Sequence, residues 1–89
     1  LETNFKTHIG EIDVIAKDNG FTVFIEVKTR SNDAFGQPSE AVNRKKQEKY
    51  FMVATEYLRK MRLLDKPSRF DVIEIENGQI NHIIDAFSM

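Results

Sequence analysis

The sequence predicts a mixed α/β domain in which a β-hairpin, a helix and a second hairpin follow one another. Three observations carry this reading. Asn19-Gly20 and Asn77-Gly78 each separate two runs rich in β-branched residues, the pattern of a two-residue hairpin turn whose central positions tolerate positive φ. Between them, Phe51, Ala54, Leu58 and Met61 recur at helical spacing, with Gln47 one turn ahead on the same stripe. The stretch SNDAFGQP at 31–38 is rich in breakers and separates hairpin from helix.

In chain order, residues 2–7 are a short extended segment. Residues 11–17, EIDVIAK, and 21–29, FTVFIEVKT, are strands. Asn43, or Ser39 further upstream, suits a helix N-cap. Arg59, Lys60 and Arg62 fall in the last turn, where cations complement the helix dipole, and Pro67 lies beyond the helix end. Residues 69–76 form the next strand and 79–84 the last.

The chain has 89 residues, enough for one domain with one modest core. It contains no cysteine, which excludes disulfides and zinc-thiolate sites. No apolar run approaches the ~20 residues of a membrane span, and no signal peptide is visible, so a cytoplasmic location is expected. The net charge of −1 lacks the basic excess of a strong non-specific nucleic-acid binder. The charge is nevertheless clustered: Arg44, Lys45, Lys46 and Lys49 form one group, and Arg59, Lys60 and Arg62 another. Each reads either as a solvated helix face or as a phosphate-facing surface.

The first hairpin raises a chemical question. With a turn at Asn19-Gly20, Ile15 faces Phe24, Asp13 faces Glu26 and Glu11 faces Lys28, all on one side of the hairpin. The other side carries Ile12, Val14, Ala16, Val23, Ile25 and Val27, an apolar surface suited to packing. Like charges directly opposite each other are destabilising. A proton on one carboxyl, neutralisation by Lys28, or a divalent cation between the two would offset the repulsion. Mg²⁺ takes carboxylate oxygen, and Lys28 beside it could orient water or stabilise phosphate charge. A structural salt-bridge cluster at a strand end is the other reading, and spacing leaves both open.

Asp13 followed by Glu26-Val27-Lys28 resembles the D…(D/E)xK pattern of the restriction-endonuclease-like, or PD-(D/E)xK, superfamily, which includes Holliday-junction resolvases. GEIDVIA, FIEVKTR, FGQPSEAV, RKKQ and RFDVIEI, in that order along nearly the whole chain, resemble the YraN-like family of uncharacterised bacterial proteins. The resemblance implies a restriction-endonuclease-like core with a mixed central sheet, in a single domain over 1–89. It implies a Mg²⁺- or Mn²⁺-dependent nuclease hydrolysing phosphodiester bonds of DNA, branched or structured DNA included. Asp13 and Glu26 would be metal ligands, with the Val27 carbonyl as a further ligand. Lys28 would be the catalytic lysine and Gln47 the helix glutamine beside the site. Arg30 would contact phosphate, together with Arg44, Lys45 and Lys46. Relatives usually carry an N-terminal helix that this chain lacks, so N-terminal truncation is expected, with a homodimer or strand-exchanged form covering the exposed sheet. The competing class is a non-catalytic nucleic-acid-binding or protein-interaction module on the same scaffold.

Among the remaining residues, His8 and His82 read as surface and structural, respectively. Asp71 is expected to pair with Arg69. Phe51, Tyr57 and Met61 are expected in the core, and Tyr50 is expected to be partly buried, with stacking on a base as the sharper reading.

Overall fold

Both Asn-Gly pairs turn the chain as their residue types dictate. Asn19 and Gly20 have φ of 50° and 85°, and Asn77 and Gly78 have φ of 53° and 79°, the two positive values of a type I′ turn, whose twist matches that of the flanking strands. In the computed structural model, which describes residues 2–30 and 44–87 (Arg30 through its backbone), these turns join strands of one five-stranded sheet. The strands are β1 (Glu2–Lys6), β2 (Glu11–Asp18), β3 (Phe21–Arg30), β4 (Ser68–Glu76) and β5 (Gln79–Phe87), arranged in chain order. Helix α1 (Arg44–Lys60) lies between β3 and β4 in sequence, and those two strands alone pair in parallel. The sheet is therefore mixed, as parallel neighbours need a crossover connection. The expected N-cap residues Ser39 and Asn43, and the breaker-rich stretch 31–38, lie outside the described residues.

The helix buries Tyr50, Val53, Ala54, Tyr57 and Leu58. They meet Ile12, Ile15, Phe24, Phe70 and Val72 of the sheet. Rings interlock through this layer: Phe5 and Phe24 meet the Tyr57 ring edge-on, and Phe24 and Phe87 stack on Phe70. Two expectations are corrected here. The side of the first hairpin that carries Ile15, Phe24 and Glu26 packs into the core, whereas on the side expected to pack only Ile12 and Val23 are buried, and Val14, Ala16, Ile25 and Val27 are half-buried. The helical stripe is also rotated: Met61 is 48% exposed, outside the core, while Tyr50 and Val53 are inside it.

Beyond Lys60 the helix closes through a left-handed residue. Arg62 has φ of 60°, its N–H donates to the Arg59 carbonyl, and the Leu63 N–H donates to the Leu58 carbonyl at 2.7 Å. This pair of bonds is the Schellman closure, which satisfies the last carbonyls. Arg62 thus lies past the last helical turn.

Candidate functional site

The β2–β3 ladder runs from Asp18–Phe21 to Val14–Ile25, in the register the turn predicts, and stops there. One residue further, the Val27 N–H donates to Asp13 Oδ2 at 3.0 Å instead of to a backbone carbonyl. Strict alternation is broken at the same place, because Ile12 and Ile15, three residues apart, both enter the core. Across the β1 edge, Asn4 is left-handed at φ 54°. A side-chain carboxylate has taken over a ladder position, and the strands part around it.

The opening lets Asp13 meet Glu26, and the two carboxyl groups hydrogen-bond to each other. Glu26 is 7% exposed, and its Oε2 receives Lys46 Nζ at 3.1 Å and Lys28 Nζ at 3.3 Å. The Tyr50 hydroxyl also donates to Glu26. Lys46 and Tyr50 stand one turn apart on α1, and the Lys46 ammonium lies 5.9 Å from the centre of the Tyr50 ring.

The electrostatics separate the two acids. Burial raises the Asp13 pKa, and the hydrogen bond with Glu26 raises it further, against the lowering effect of the Val27 N–H. Burial also pushes Glu26 up, but Tyr50, Asp13 and Lys46 outweigh it and hold Glu26 below the ordinary glutamate value. The surroundings therefore favour a proton on Asp13 over one on Glu26. Burial first, then the charge of Glu26, pushes the Tyr50 phenol far above its usual range, so it stays a donor.

The structure thus brings Asp13, Glu26, Val27 and Lys28 together. Lys46, expected on a phosphate-facing surface, sits on Glu26 instead. Gln47 is half-buried in the first turn of α1, and Arg44 and Lys45 are exposed at that end of the helix. Arg30 continues β3, paired with Glu76. Sequence reading missed two participants. Tyr50 is buried on Glu26, where it also stacks on Phe87, and base stacking does not describe it. Glu74, the register partner of Lys28 on β4, is a further buried carboxylate on the helix side of the sheet. Its alternation with Phe70 and Val72 in RFDVIEI is the signal that could have found it. Among the described residues, no group of three or more Asp, Glu or His side chains could hold a metal ion. No described helix is long and apolar enough to cross a membrane.

A second polar cluster is separate. Asp71 is fully buried where β4 and β5 shift register between Phe70 and Val72. It accepts from Arg69 Nε at 3.0 Å and from the Asp85 N–H at 2.9 Å, and its Oδ2 lies 2.8 Å from His82 Nε2. Arg69 also reaches Asp18 at 3.1 Å. This is the expected Asp71–Arg69 pair, with His82 in a structural place.

The fold and site define an α/β domain whose sheet opens around an acidic pair, one member buried and one half-buried, attended by two lysines. The chain belongs to the uncharacterised protein family UPF0102, whose profile matches residues 1–75. It is 49% identical over 89 residues to a UPF0102 protein of Clostridioides difficile, covering 98% of this chain and 78% of that protein. A UPF0102 protein of Thermodesulfovibrio yellowstonii is 49% identical over 87 residues, covering 98% and 77%. One from Persephonella marina is 43% identical over 89 residues, covering 100% and 77%.

Proposed function

We propose that the domain is a Mg²⁺- or Mn²⁺-dependent nuclease of the restriction-endonuclease-like class, acting on phosphodiester bonds of DNA. The observation that carries this is the pairing of half-buried Asp13 with buried Glu26, whose carboxyl groups hydrogen-bond to each other and are flanked by Lys28 and Lys46. A hard cation fits such a donor set, since it takes carboxylate oxygen and would offset the repulsion between two adjacent carboxylates. Asp13, Glu26 and the Val27 carbonyl would hold it. When bound, it supplies Lewis-acid polarisation at a phosphoryl oxygen.

The chain's own groups do the rest. The Val27 N–H fixes the orientation of the Asp13 carboxylate. Tyr50, Asp13 and Lys46 hold the Glu26 pKa below the ordinary glutamate value, against the effect of its burial. Lys28 and Lys46, whose ammonium groups lie 3.3 and 3.1 Å from Glu26 Oε2, would neutralise the phosphate being attacked. Gln47 and Arg30 belong to the same proposal as a positioning group and a phosphate contact, with Arg44 and Lys45 further out on the helix.

A homodimer or strand-exchanged form belongs to this reading as well. It is supported by the sheet face opposite α1, where Val14, Ile25, Val27, Ile73 and Ile75 are half-buried and Ile80 is 72% exposed. A cytoplasmic location accords with DNA as substrate.

The second reading is a non-catalytic nucleic-acid-binding or protein-interaction module, favoured by the fact that two lysines and Tyr50 already neutralise Glu26. Incubation with single-stranded, duplex and branched DNA in Mg²⁺ or Mn²⁺ decides between them. The nuclease reading expects metal-dependent cleavage that disappears in Asp13→Asn and Glu26→Gln. Intact substrate under all these conditions supports the module.

A further inference from the structure

A second charged feature lies beside the site. The Thr7–Gly10 turn and the last turn of α1 face each other across an open groove of about 460 Å³, lined by Lys6, Thr7 and His8 on one wall and Glu56, Arg59 and Lys60 on the other.

Both walls are firmly placed. The Thr7 N–H donates to the Gly10 carbonyl at 2.8 Å, and Thr7 Oγ1 accepts the Ile9 N–H at 3.0 Å, which fixes the turn that presents His8. Gly10 lies against Val53 of α1, and the Phe5 ring meets Tyr57 edge-on at 5.2 Å.

The charges on these walls do not neutralise one another. Three permanent cations face a single carboxylate, Glu56, and Lys6, Arg59 and Lys60 have no ion-pair partner among the described residues. The helix dipole accounts for Arg59 and Lys60. It does not account for Lys6, which comes from β1 and brings more positive potential to the same gap. An open, positively lined trough suits a linear polyanion better than a small ligand.

Its position is also informative. Lys6 is the register partner of Glu11, and Asp13 follows two residues along β2, a separation of roughly 7 Å along the strand. We propose that this groove carries the phosphodiester backbone of the DNA strand as it leaves the Asp13–Glu26 site, with Lys6, Arg59 and Lys60 as phosphate contacts and His8 as a fourth when protonated. The inference deepens the nuclease reading and rests on it for the identity of the polyanion.

The test is fluorescence anisotropy of a labelled DNA strand in EDTA, with cleavage in Mn²⁺ measured on the same preparations. The variants are Lys6→Gln/Arg59→Gln/Lys60→Gln and the charge-preserving Lys6→Arg/Arg59→Lys/Lys60→Arg. Neutralisation should weaken binding about tenfold or more near physiological salt and reduce the slope of log affinity against log salt by about two. It should raise KM for cleavage with kcat nearly unchanged, and the charge-preserving variant should behave as wild type. Equal affinity and equal salt slope in the neutralised variant would overturn the groove, even if cleavage still depends on Asp13. Groove-dependent binding without cleavage by wild type keeps the groove and removes the nuclease. Absence of DNA binding by wild type at about 50 mM salt overturns the groove too.

Discussion

Asp13 Oδ2 accepts the Val27 N–H at 3.0 Å, so a β2 side chain occupies the hydrogen-bonding place of a β2 main-chain carbonyl. The acid that would hold a cation is also the piece that lets the strands part. These two roles respond differently to substitution. Asp13→Ala leaves the Val27 donor unmet in a half-buried place, and chemical denaturation should show a loss of about 1–3 kcal/mol. Asp13→Asn keeps an acceptor for Val27 and a donor for Glu26, and should unfold within about 0.5 kcal/mol of wild type. If both variants lose stability equally, the hydrogen bond is not what holds the opening.

Tyr50 donates to Glu26 and is one of the groups that lower the Glu26 pKa. Tyr50→Phe keeps the ring against Phe87 and removes only the donor. The expected cost is about 1 kcal/mol of stability, with a Glu26 carboxyl titration, followed by NMR, displaced upward. An unmoved Glu26 titration would assign its ionisation to the lysines alone.

Asp71 governs the acid limb of stability. Burial pushes its pKa up, but Arg69, the Asp85 N–H and His82 outweigh this and hold it below the ordinary aspartate value. A carboxyl with a lowered folded pKa stabilises the protein above its unfolded pKa, and this stabilisation disappears as pH falls through the folded value. Stability should therefore decline below about pH 4. In Asp71→Asn the overall stability should be lower and the decline shallower, as measured by thermal unfolding between acidic and neutral pH. An acid limb of unchanged steepness would assign the decline to other carboxylates.

Arg62 holds the left-handed position that closes α1. Glycine adopts that conformation without steric cost. Arg62→Gly should stabilise the domain by up to about 1 kcal/mol, visible as a higher melting temperature. A lower one would mean that the arginine side chain contributes more than its backbone strain costs.

Much of this was legible in the sequence. Asn19-Gly20 set the hairpin register, and through it the meeting of Asp13 and Glu26, because its residue types admit the two positive φ values the turn requires. The packed side of that hairpin was not legible, since Ile15 and Phe24 share their side with the carboxylates while the opposite side reads as the more continuous apolar surface. The stripe on α1 was ambiguous for a similar reason: Tyr50, Val53 and Tyr57 lie beside Phe51, Leu58 and Met61, and only contact with the sheet selects among them. The Lys46–Glu26 pair joins groups 20 residues apart in sequence. No local pattern encodes such a contact. The breaks in alternation at Asp13 and Asp71 were likewise invisible, as each depends on a side chain replacing a ladder partner.

The central claim is that Asp13 and Glu26 form a cation site. Calorimetric titration of the 89-residue chain with Mn²⁺, alongside Asp13→Asn and Glu26→Gln, tests it most directly. The account predicts one site in the wild type, absent from both variants. Binding should weaken as pH falls into the carboxylate range, because burial and Glu26 raise the Asp13 pKa above the ordinary aspartate value. No binding by the wild type, or equal binding by all three proteins, would contradict it and leave Asp13, Glu26, Lys28 and Lys46 as a structural charge cluster.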